Sequence, residues 1–220
     1  MTTIRDAATV ILLREGPDGP AVLMGQRGAS AAFMPSKYVF PGGATEPGDA
    51  EARFARPLAE ACRGALTDRA GTAPEAVAAA GLRELAEETG QVVARPWNGD
   101  GPGCAWPGFA GLLPDAGALR FVFRAITPPG RPRRFDARFF LADAGSLATD
   151  PDDFGAAEDE LAHLHWVPLR EARALDMPFI TEVVLAEVAA IREGRAAPGV
   201  PFFDNRGETS AFRRLGVMDA

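Results

Sequence analysis

Three glutamates on one short stretch are the residues of this chain best placed to do chemistry. Glu84, Glu87 and Glu88 stand at positions i, i+3 and i+4, so on a helix their side chains lie on one face. Like charges at these spacings repel each other by roughly 0.2–0.5 kcal/mol per pair. A hard divalent cation such as Mg²⁺, which binds oxygen ligands, would remove this repulsion. The alternative is a solvated acidic helix face, and the cluster by itself leaves both interpretations open.

The helix that must carry these acids is predicted over residues 73–90. Thr72 is a candidate N-cap, and Glu75 three residues later would complete a capping box. Gly90 suits the position just past the C-terminus, where a positive φ is needed. Apolar residues recur at i, i+4 and i+7 and are predicted to face a core: Ala78, Leu82 and Leu85.

Two separated segments match the halves of a known motif. The sequence RELAEETG over 83–90 resembles the second half of the Nudix box, the signature of the Nudix hydrolases. The first half is similar to FPGG over 40–43, followed by Glu46 and Asp49. With both halves present, the chain is identified as a member of this family.

The motif departs from the family pattern at three places. Asp49 stands where the pattern has a Glu after the glycines, and Glu75 stands at the expected distance before Arg-Glu. An insertion over 48–72 separates the two halves, so the box is split. Gln91 occupies a position that is usually aliphatic.

The resemblance implies a fold and a reaction. The implied fold class is α/β of the α+β type, a Nudix α/β/α sandwich with a mixed central sheet and an insertion inside the box. We expect one domain over 1–220, with a C-terminal tail over 196–220. The implied reaction is hydrolysis of a diphosphate bond in a nucleoside diphosphate linked to another moiety, with Mg²⁺ as cofactor and Mn²⁺ as a substitute.

The resemblance also implies roles for the residues of the box. Glu87 and Glu88 are the main expected metal ligands, together with the carbonyl of Gly42. Glu84 is expected to be a further ligand or the base that deprotonates water. Arg83, four residues before Glu87, is expected to orient a carboxylate through a charge-assisted hydrogen bond.

An acidic segment precedes a strand that is predicted over 161–167. In Nudix proteins a glutamate in such a place often supplies a distal metal ligand or a base, which makes Glu158 and Glu160 candidates, Glu160 ahead. An exposed acidic loop is the alternative. His163 and His165 alternate with apolar residues on that strand and are expected to be structural.

Four arginines are candidates for binding substrate. Arg27 ends a predicted strand, where either a substrate contact or a surface salt bridge is expected. Arg131, Arg133 and Arg134 form a local basic patch that could grip a phosphate by forked hydrogen bonds. A solvated loop is the alternative for this patch.

The pattern of the whole chain narrows the family. FMPSKYVFPGG, the long insertion, ITPPGRPRRFDARFFLA and HLHWVPLREA look like the branch of peroxisomal coenzyme A diphosphatases, of which this chain would be a bacterial member. The implied substrate is coenzyme A or acyl-CoA. Other Nudix specificities remain alternatives, namely ADP-ribose, NADH or dinucleotides, as does a non-catalytic nucleotide-binding module.

The elements that position these residues are predicted from periodicity and turn chemistry. A hairpin is expected first, then a helix in the insertion broken at Pro57, then two strands joined by a proline-rich turn, and finally a helix. Their predicted ranges are 9–13 and 21–27 for the hairpin, 50–66 for the insertion helix, 119–127 and 134–142 for the strands, and 179–193 for the last helix. The tail shows only weak periodicity.

Composition limits the class of partner. The net charge is −7 and no Lys/Arg-dense tail is present, which argues against a nucleic-acid or membrane-surface binder. Cys62 and Cys104 are the only cysteines, which indicates free thiols and a reducing compartment. With no signal peptide recognised, a cytoplasmic location is expected, and the family makes a homodimer an alternative to a monomer.

Overall fold

The computed structural model describes residues 3–68, 71–99, 103–207 and 209–216. In these residues a mixed sheet of nine strands has helices on both faces, and a two-stranded sheet lies apart from it. The strands are β1 (Ile4–Gly16), β2 (Gly19–Arg27), β3 (Tyr38–Val39), β4 (Gly42–Ala44), β5 (Ala94–Pro96), β6 (Leu112–Pro114), β7 (Arg120–Ile126), β8 (Arg134–Asp143), β9 (Leu161–Pro168), β10 (Val200–Asp204) and β11 (Ala211–Leu215). The helices are α1 (Glu60–Thr67), α2 (Pro74–Thr89), α3 (Leu169–Ala172) and α4 (Phe179–Arg192). The predicted fold class is therefore confirmed.

Strand β1 lies near the middle of the large sheet, whose order is β11-β10-β7-β8-β1-β2-β3. It forms an antiparallel hairpin with β2 and runs parallel to β8, while β4 pairs with its first half. Strand β9 pairs with β2. The five strands predicted from the sequence are all present. Four have bounds within two residues of the predicted ones, whereas β1 is much longer than the predicted 9–13.

Both faces of β1 are buried, because successive side chains of a strand point to opposite sides. Val10 and Leu12 belong to the core under α2, whereas Ile11 and Leu13 belong to the core under α4. Burying each of these side chains contributes about 1.5–3 kcal/mol. The strand is thus held between two layers, and this sets the position of the neighbouring β4.

Helix α2 packs closely on β1. Its residues Ala78, Leu82 and Leu85 have no exposed surface, as predicted. At Gly81 a Cβ would lie 3.2 Å from the Cγ2 atom of Val10, so the missing side chain lets the helix approach the strand. The helix ends at Gly90, whose φ of 71° is the left-handed conformation expected there.

The predicted N-cap of this helix is wrong. The N-cap residue is Ala73, and no side chain caps it. The hydroxyl of Thr72 instead donates to Asp6, and Glu75 pairs with Arg63 of α1. Pro74 at the first helical position needs no N–H partner, and the tertiary contacts of Thr72 and Glu75 replace the capping box.

The insertion is not one helix. A 3₁₀-helix covers Pro47–Glu51, an irregular segment follows, and α1 is the one α-helix among the described residues of the insertion. Leu58 and Leu66 enter the core beneath α2 together with Phe121 of β7. The insertion therefore enlarges the core on this face of the sheet.

The C-terminal segment is also more regular than its sequence indicates. Strand β10 pairs in parallel with β7, and β11 pairs with β10, which extends the sheet by two strands. Phe202 of β10 is fully buried in the core under α2. Among the described residues, none of the helices has the length and apolar character needed to cross a bilayer.

Candidate active site

Arg83 is the centre of the site. Its Nη1 donates to Glu84 at 3.0 Å and to Glu87 at 2.8 Å, so the predicted contact with Glu87 is confirmed. Its Nε and Nη2 donate to the two oxygens of Asp49 at 3.0 and 3.2 Å. Burial on its own lowers the pKa of the Arg83 guanidinium, but the hydrogen bond to Asp49 and the charges of the three acids raise that pKa overall. The side chain is therefore a permanent buried cation.

The structure decides which acid completes the split box. Asp49 is 1% exposed and pairs with Arg83, whereas Glu75 lies toward α1. A 3₁₀ turn brings Asp49 into reach, because Asp49 also accepts the N–H of Glu46 at 2.7 Å. The shorter aspartate thus takes the place that the Nudix pattern gives to a glutamate.

Glu88 is the most deeply buried of the three predicted metal ligands, at 2% exposure. One oxygen accepts the N–H of Gly42 at 2.7 Å, and the other has no hydrogen-bond partner among the described residues. The pKa of Glu88 is raised to about 8, chiefly by burial; Glu160 and Glu84 also raise it, while the Gly42 hydrogen bond and Arg27 lower it. Burial disfavours the charged form of such a carboxylate, and binding of a cation or a proton at the free oxygen would relieve this cost.

The carboxylate of Glu84 lies against Gly43 of strand β4. A Cβ added at Gly43 would come within 2.3 Å of this carboxylate, so a larger residue there would force the Glu84 side chain to move. Burial raises the pKa of Glu84, Arg83 lowers it, and Glu87 and Glu160 raise it. Burial likewise raises the pKa of Glu87, against the opposite effect of Arg83.

These acids make an all-oxygen donor set. In the described residues no three acids, histidines or cysteines surround a common point as ligands, since Arg83 draws Glu84 and Glu87 toward itself and Gly42 holds Glu88. The free oxygen of buried Glu88 and the raised pKa values of all three acids nevertheless fit a hard divalent cation, which would offset their mutual repulsion. The residues present therefore fit Mg²⁺ or Mn²⁺.

The downstream acids reach this cluster from the loop before β9. Glu160 is close enough to raise the pKa values of both Glu84 and Glu88, and the Glu158 side chain raises that of Glu87. The backbone N–H of Glu158 donates to the carbonyl of Glu87 at 2.8 Å. Both candidates thus lie near the acids of α2.

Arg27 joins β2 to the same cluster. Its Nη2 donates to Glu160 at 2.8 Å, which is the salt bridge that the sequence left open as an alternative. Its Nε is buried and has no hydrogen-bond partner in the described part of the chain. The charge of Arg27 also lowers the pKa of Glu88, so this guanidinium lies near both Glu88 and Glu160.

The basic patch is divided by the structure. Arg134 is buried, and its guanidinium donates to the carbonyls of Thr127 and Asn205 at 2.9 and 2.6 Å. It supports the β7–β8 connection and the C-terminal strands, so the expectation of a free phosphate-binding fork there is corrected. Arg131 and Arg133 are exposed on the loop. The two histidines are exposed as well, and the φ of 52° at His163 marks an irregularity of β9.

Sequence reasoning missed the contribution of two residues. Asp49 stood at the right place in the motif, but its pairing with Arg83 was not predicted. Gln91 was noted only as a departure from the pattern, although it is fully buried and binds the loop that carries Glu158 and Glu160. The signal was present in both cases as a polar residue whose type differs from the family pattern.

Comparisons with known proteins agree with this geometry. No family model matches the chain. A chicken (Gallus gallus) acyl-coenzyme A diphosphatase is 28% identical over an aligned length of 236 residues. The match covers 76% of this chain and 62% of the chicken protein. A crystal structure of a Nudix hydrolase from Alicyclobacillus acidocaldarius is 34% identical, covers 90% of this chain and 99% of its own, and has a TM-score of 0.65. The crystal structure of a C. elegans Ap4A hydrolase, 14% identical over 87% of this chain and 99% of its own with a TM-score of 0.51, shares the fold.

The residues of the box lie together in one site of this structure. The fold that carries them matches that of the Alicyclobacillus acidocaldarius Nudix hydrolase, which is 34% identical and is covered over 99% of its own chain. This chain therefore belongs to the Nudix hydrolase superfamily.

Proposed function

We propose that the protein hydrolyses a diphosphate bond in a nucleoside diphosphate linked to another moiety, with Mg²⁺ as cofactor and Mn²⁺ as a substitute. The observation that carries this proposal is that Glu84, Glu87, Glu88 and Glu160 lie close enough for their charges to raise the pKa values of Glu84 and Glu88, with one Glu88 oxygen buried and unpartnered among the described residues. Such a cluster is costly without a cation, and a diphosphate is the anionic group that a cation would bring to it.

The residues that would hold the metal are Glu87 and Glu88, with Glu84 and the Gly42 carbonyl as further donors. When bound, Mg²⁺ supplies charge neutralisation of the diphosphate and a lowered pKa of bound water. Arg83 orients Glu84 and Glu87, because its Nη1 contacts both carboxylates. The buried pair with Asp49 keeps this guanidinium in place.

The base that takes the proton from water would be Glu84 or Glu160. Burial raises the pKa of Glu84, which makes its carboxylate a stronger proton acceptor than a solvated one. Glu160 is held by Arg27 through a salt bridge of 2.8 Å. Arg27 would also contact a substrate phosphate, and exposed Arg131 and Arg133 would bind other phosphates of the substrate.

For the substrate we propose coenzyme A or acyl-CoA. This rests on the identity of 28% to the chicken acyl-coenzyme A diphosphatase and on the sequence patterns around the box. ADP-ribose, NADH and dinucleotides remain as alternatives within the same chemistry. A panel of coenzyme A, acyl-CoA, NADH, ADP-ribose and a capped nucleotide, each assayed with Mg²⁺ and with Mn²⁺, separates them.

The test of the reaction is a pair of substitutions at the cluster. Glu88→Gln and Glu87→Gln should each lower kcat by more than roughly a hundredfold, because each removes a charge from the reacting centre. Glu75→Gln, on the same helix but paired with Arg63, is the matched control and should keep wild-type turnover. Undiminished turnover in both site variants would refute the ligand assignment. Substrate binding without turnover in the wild type would favour a non-catalytic module.

A further inference from the structure

Gln91 is a buried amide at the end of the helix that carries the acids. Its Nε2 donates to the carbonyls of Asp150 and Asp153 at 3.1 and 2.7 Å, and its Oε1 accepts the Thr149 hydroxyl at 3.0 Å. The same hydroxyl accepts the N–H of Val92 at 3.2 Å. The side chain has no exposed surface. Only an amide supplies two donors and an acceptor in this space, whereas an aliphatic residue would leave both carbonyls without these partners.

The segment that Gln91 binds continues directly into the two downstream acids. Residues 149–160 run from Thr149, past the C-terminus of α2, to the start of β9. At Gly90 a Cβ would lie 3.3 Å from backbone atoms of Ala156 and Ala157, so this loop rests on the helix end. Farther along, the N–H of Glu158 bonds to the carbonyl of Glu87.

We propose that Gln91 is a positioning residue that fixes the loop of residues 149–160 on helix α2, so that Glu158 and Glu160 face the acids of the helix. Three hydrogen bonds tie the first half of the loop to the residue that follows the helix, and one ties its second half to the helix itself. Phe154 of the loop packs, partly buried, against the core under α2. Gln91 adds three hydrogen bonds to this apolar contact and thereby fixes the first half of the loop. The inference about catalysis rests on the proposed function, but the placement of the loop does not.

Amide hydrogen exchange of the metal-free protein tests the placement. Gln91→Leu keeps the approximate size of the side chain and removes the three hydrogen bonds. The Glu158 N–H should then exchange at least about tenfold faster, while amides near Leu82 keep their protection. Gln26→Leu removes a hydrogen bond to the carbonyl of Ser36 in a different loop and should leave the Glu158 N–H unchanged. Unaltered exchange at Glu158 in Gln91→Leu would overturn the proposal.

A double-mutant cycle tests the coupling to catalysis. Gln91→Leu should lower kcat by about 10- to 100-fold, the usual effect of removing a supporting hydrogen bond behind a site, with little change in KM. In a Glu160→Gln background the same substitution should have a much smaller effect, because the residue it positions is already disabled. An equal loss in both backgrounds would show a general structural defect and would contradict the positioning role.

A second variant keeps the test valid if Gln91→Leu does not fold. Thr149→Val removes only the hydroxyl that joins Gln91 to Val92, and it should accelerate exchange at Glu158 by a smaller factor in the same direction. No acceleration would also overturn the proposal. A wild type without hydrolase activity would refute the proposed function alone, since the exchange experiment needs no substrate.

Discussion

The charged form of Glu88 is unfavourable in its buried environment unless a proton or a cation binds to it. The carboxylate is buried with one free oxygen, and its pKa lies near 8, well above its ordinary value of 4.5. Without metal, the folded protein therefore binds a proton at Glu88 at pH values where the unfolded chain has lost it. By linkage, this group stabilises the fold fully below about pH 4.5, and the contribution is lost as the pH rises toward 8.

The loss of this stabilisation with rising pH leads to a prediction that denaturation experiments can test. In chelator-treated protein, the free energy of unfolding of the wild type relative to Glu88→Gln should fall as the pH rises from about 5 to 8, because glutamine cannot ionise. Urea denaturation of both proteins at several pH values measures the difference. If the two stability curves run parallel over this range, the carboxylate is not protonated in the folded protein.

At the scale of elements, the 3₁₀-helix Pro47–Glu51 supplies the acid that the split box would otherwise lack beside Arg83. It lies at the start of the insertion, and there Asp49, at the motif position where the family pattern has a glutamate, pairs with Arg83. The insertion then continues as α1 into the core. The motif is therefore complete in space although it is interrupted along the chain.

Two carboxamide substitutions test this replacement. Asp49→Asn should lower the free energy of unfolding by roughly 3 kcal/mol, because it breaks a buried ion pair around Arg83. Glu75→Gln should cost less than about 1 kcal/mol, because its pair with Arg63 is partly exposed. Chemical denaturation compares the two variants directly. A larger loss for Glu75→Gln would mean that the acid at the family spacing, and not Asp49, supports the arginine.

At the scale of the whole molecule, the C-terminal strands close one side of the core. Phe202 packs under the guanidinium of Arg124, 4.5 Å from its ring centre, in the same core as α1 and α2. The insertion and the C-terminal segment are distant in sequence, yet both cover the α2 face of the sheet. Helix α2 is therefore supported by the central strands, by the insertion and by the C-terminal strands together.

Substitutions of two phenylalanines, one buried in β10 and one exposed in β11, test whether the C-terminal strands are part of the core. Phe202→Ala should lower the free energy of unfolding by about 3–5 kcal/mol, since it leaves a cavity in a fully buried position. Phe212→Ala should cost less than about 1 kcal/mol, because that ring is 58% exposed. Thermal unfolding of the two variants measures both values. Equal small losses would show that β10 is not part of the cooperative core.

The spacing of residues along the chain was enough to predict the faces of helix α2 and the positions of the main strands. The period of the helix places Glu84, Glu87 and Glu88 near one another and turns Leu82 and Leu85 inward, whatever surrounds them. The apolar run of β1 and its hairpin with β2 likewise follow from neighbouring residues. These features sufficed for the strands and for the acidic cluster, whereas the fold class followed from the resemblance to the Nudix box.

What the sequence by itself determined is thus the face on which the acids stand, the main strands and the family. Only the tertiary structure decided that Asp49 and not Glu75 pairs with Arg83, that Arg27 holds Glu160, that Arg134 is structural, and that the last segment forms β10 and β11. The physical reason is that these choices are contacts between residues far apart in the chain. Each depends on how burial and charge are shared after the sheet has formed, and no local period encodes that outcome.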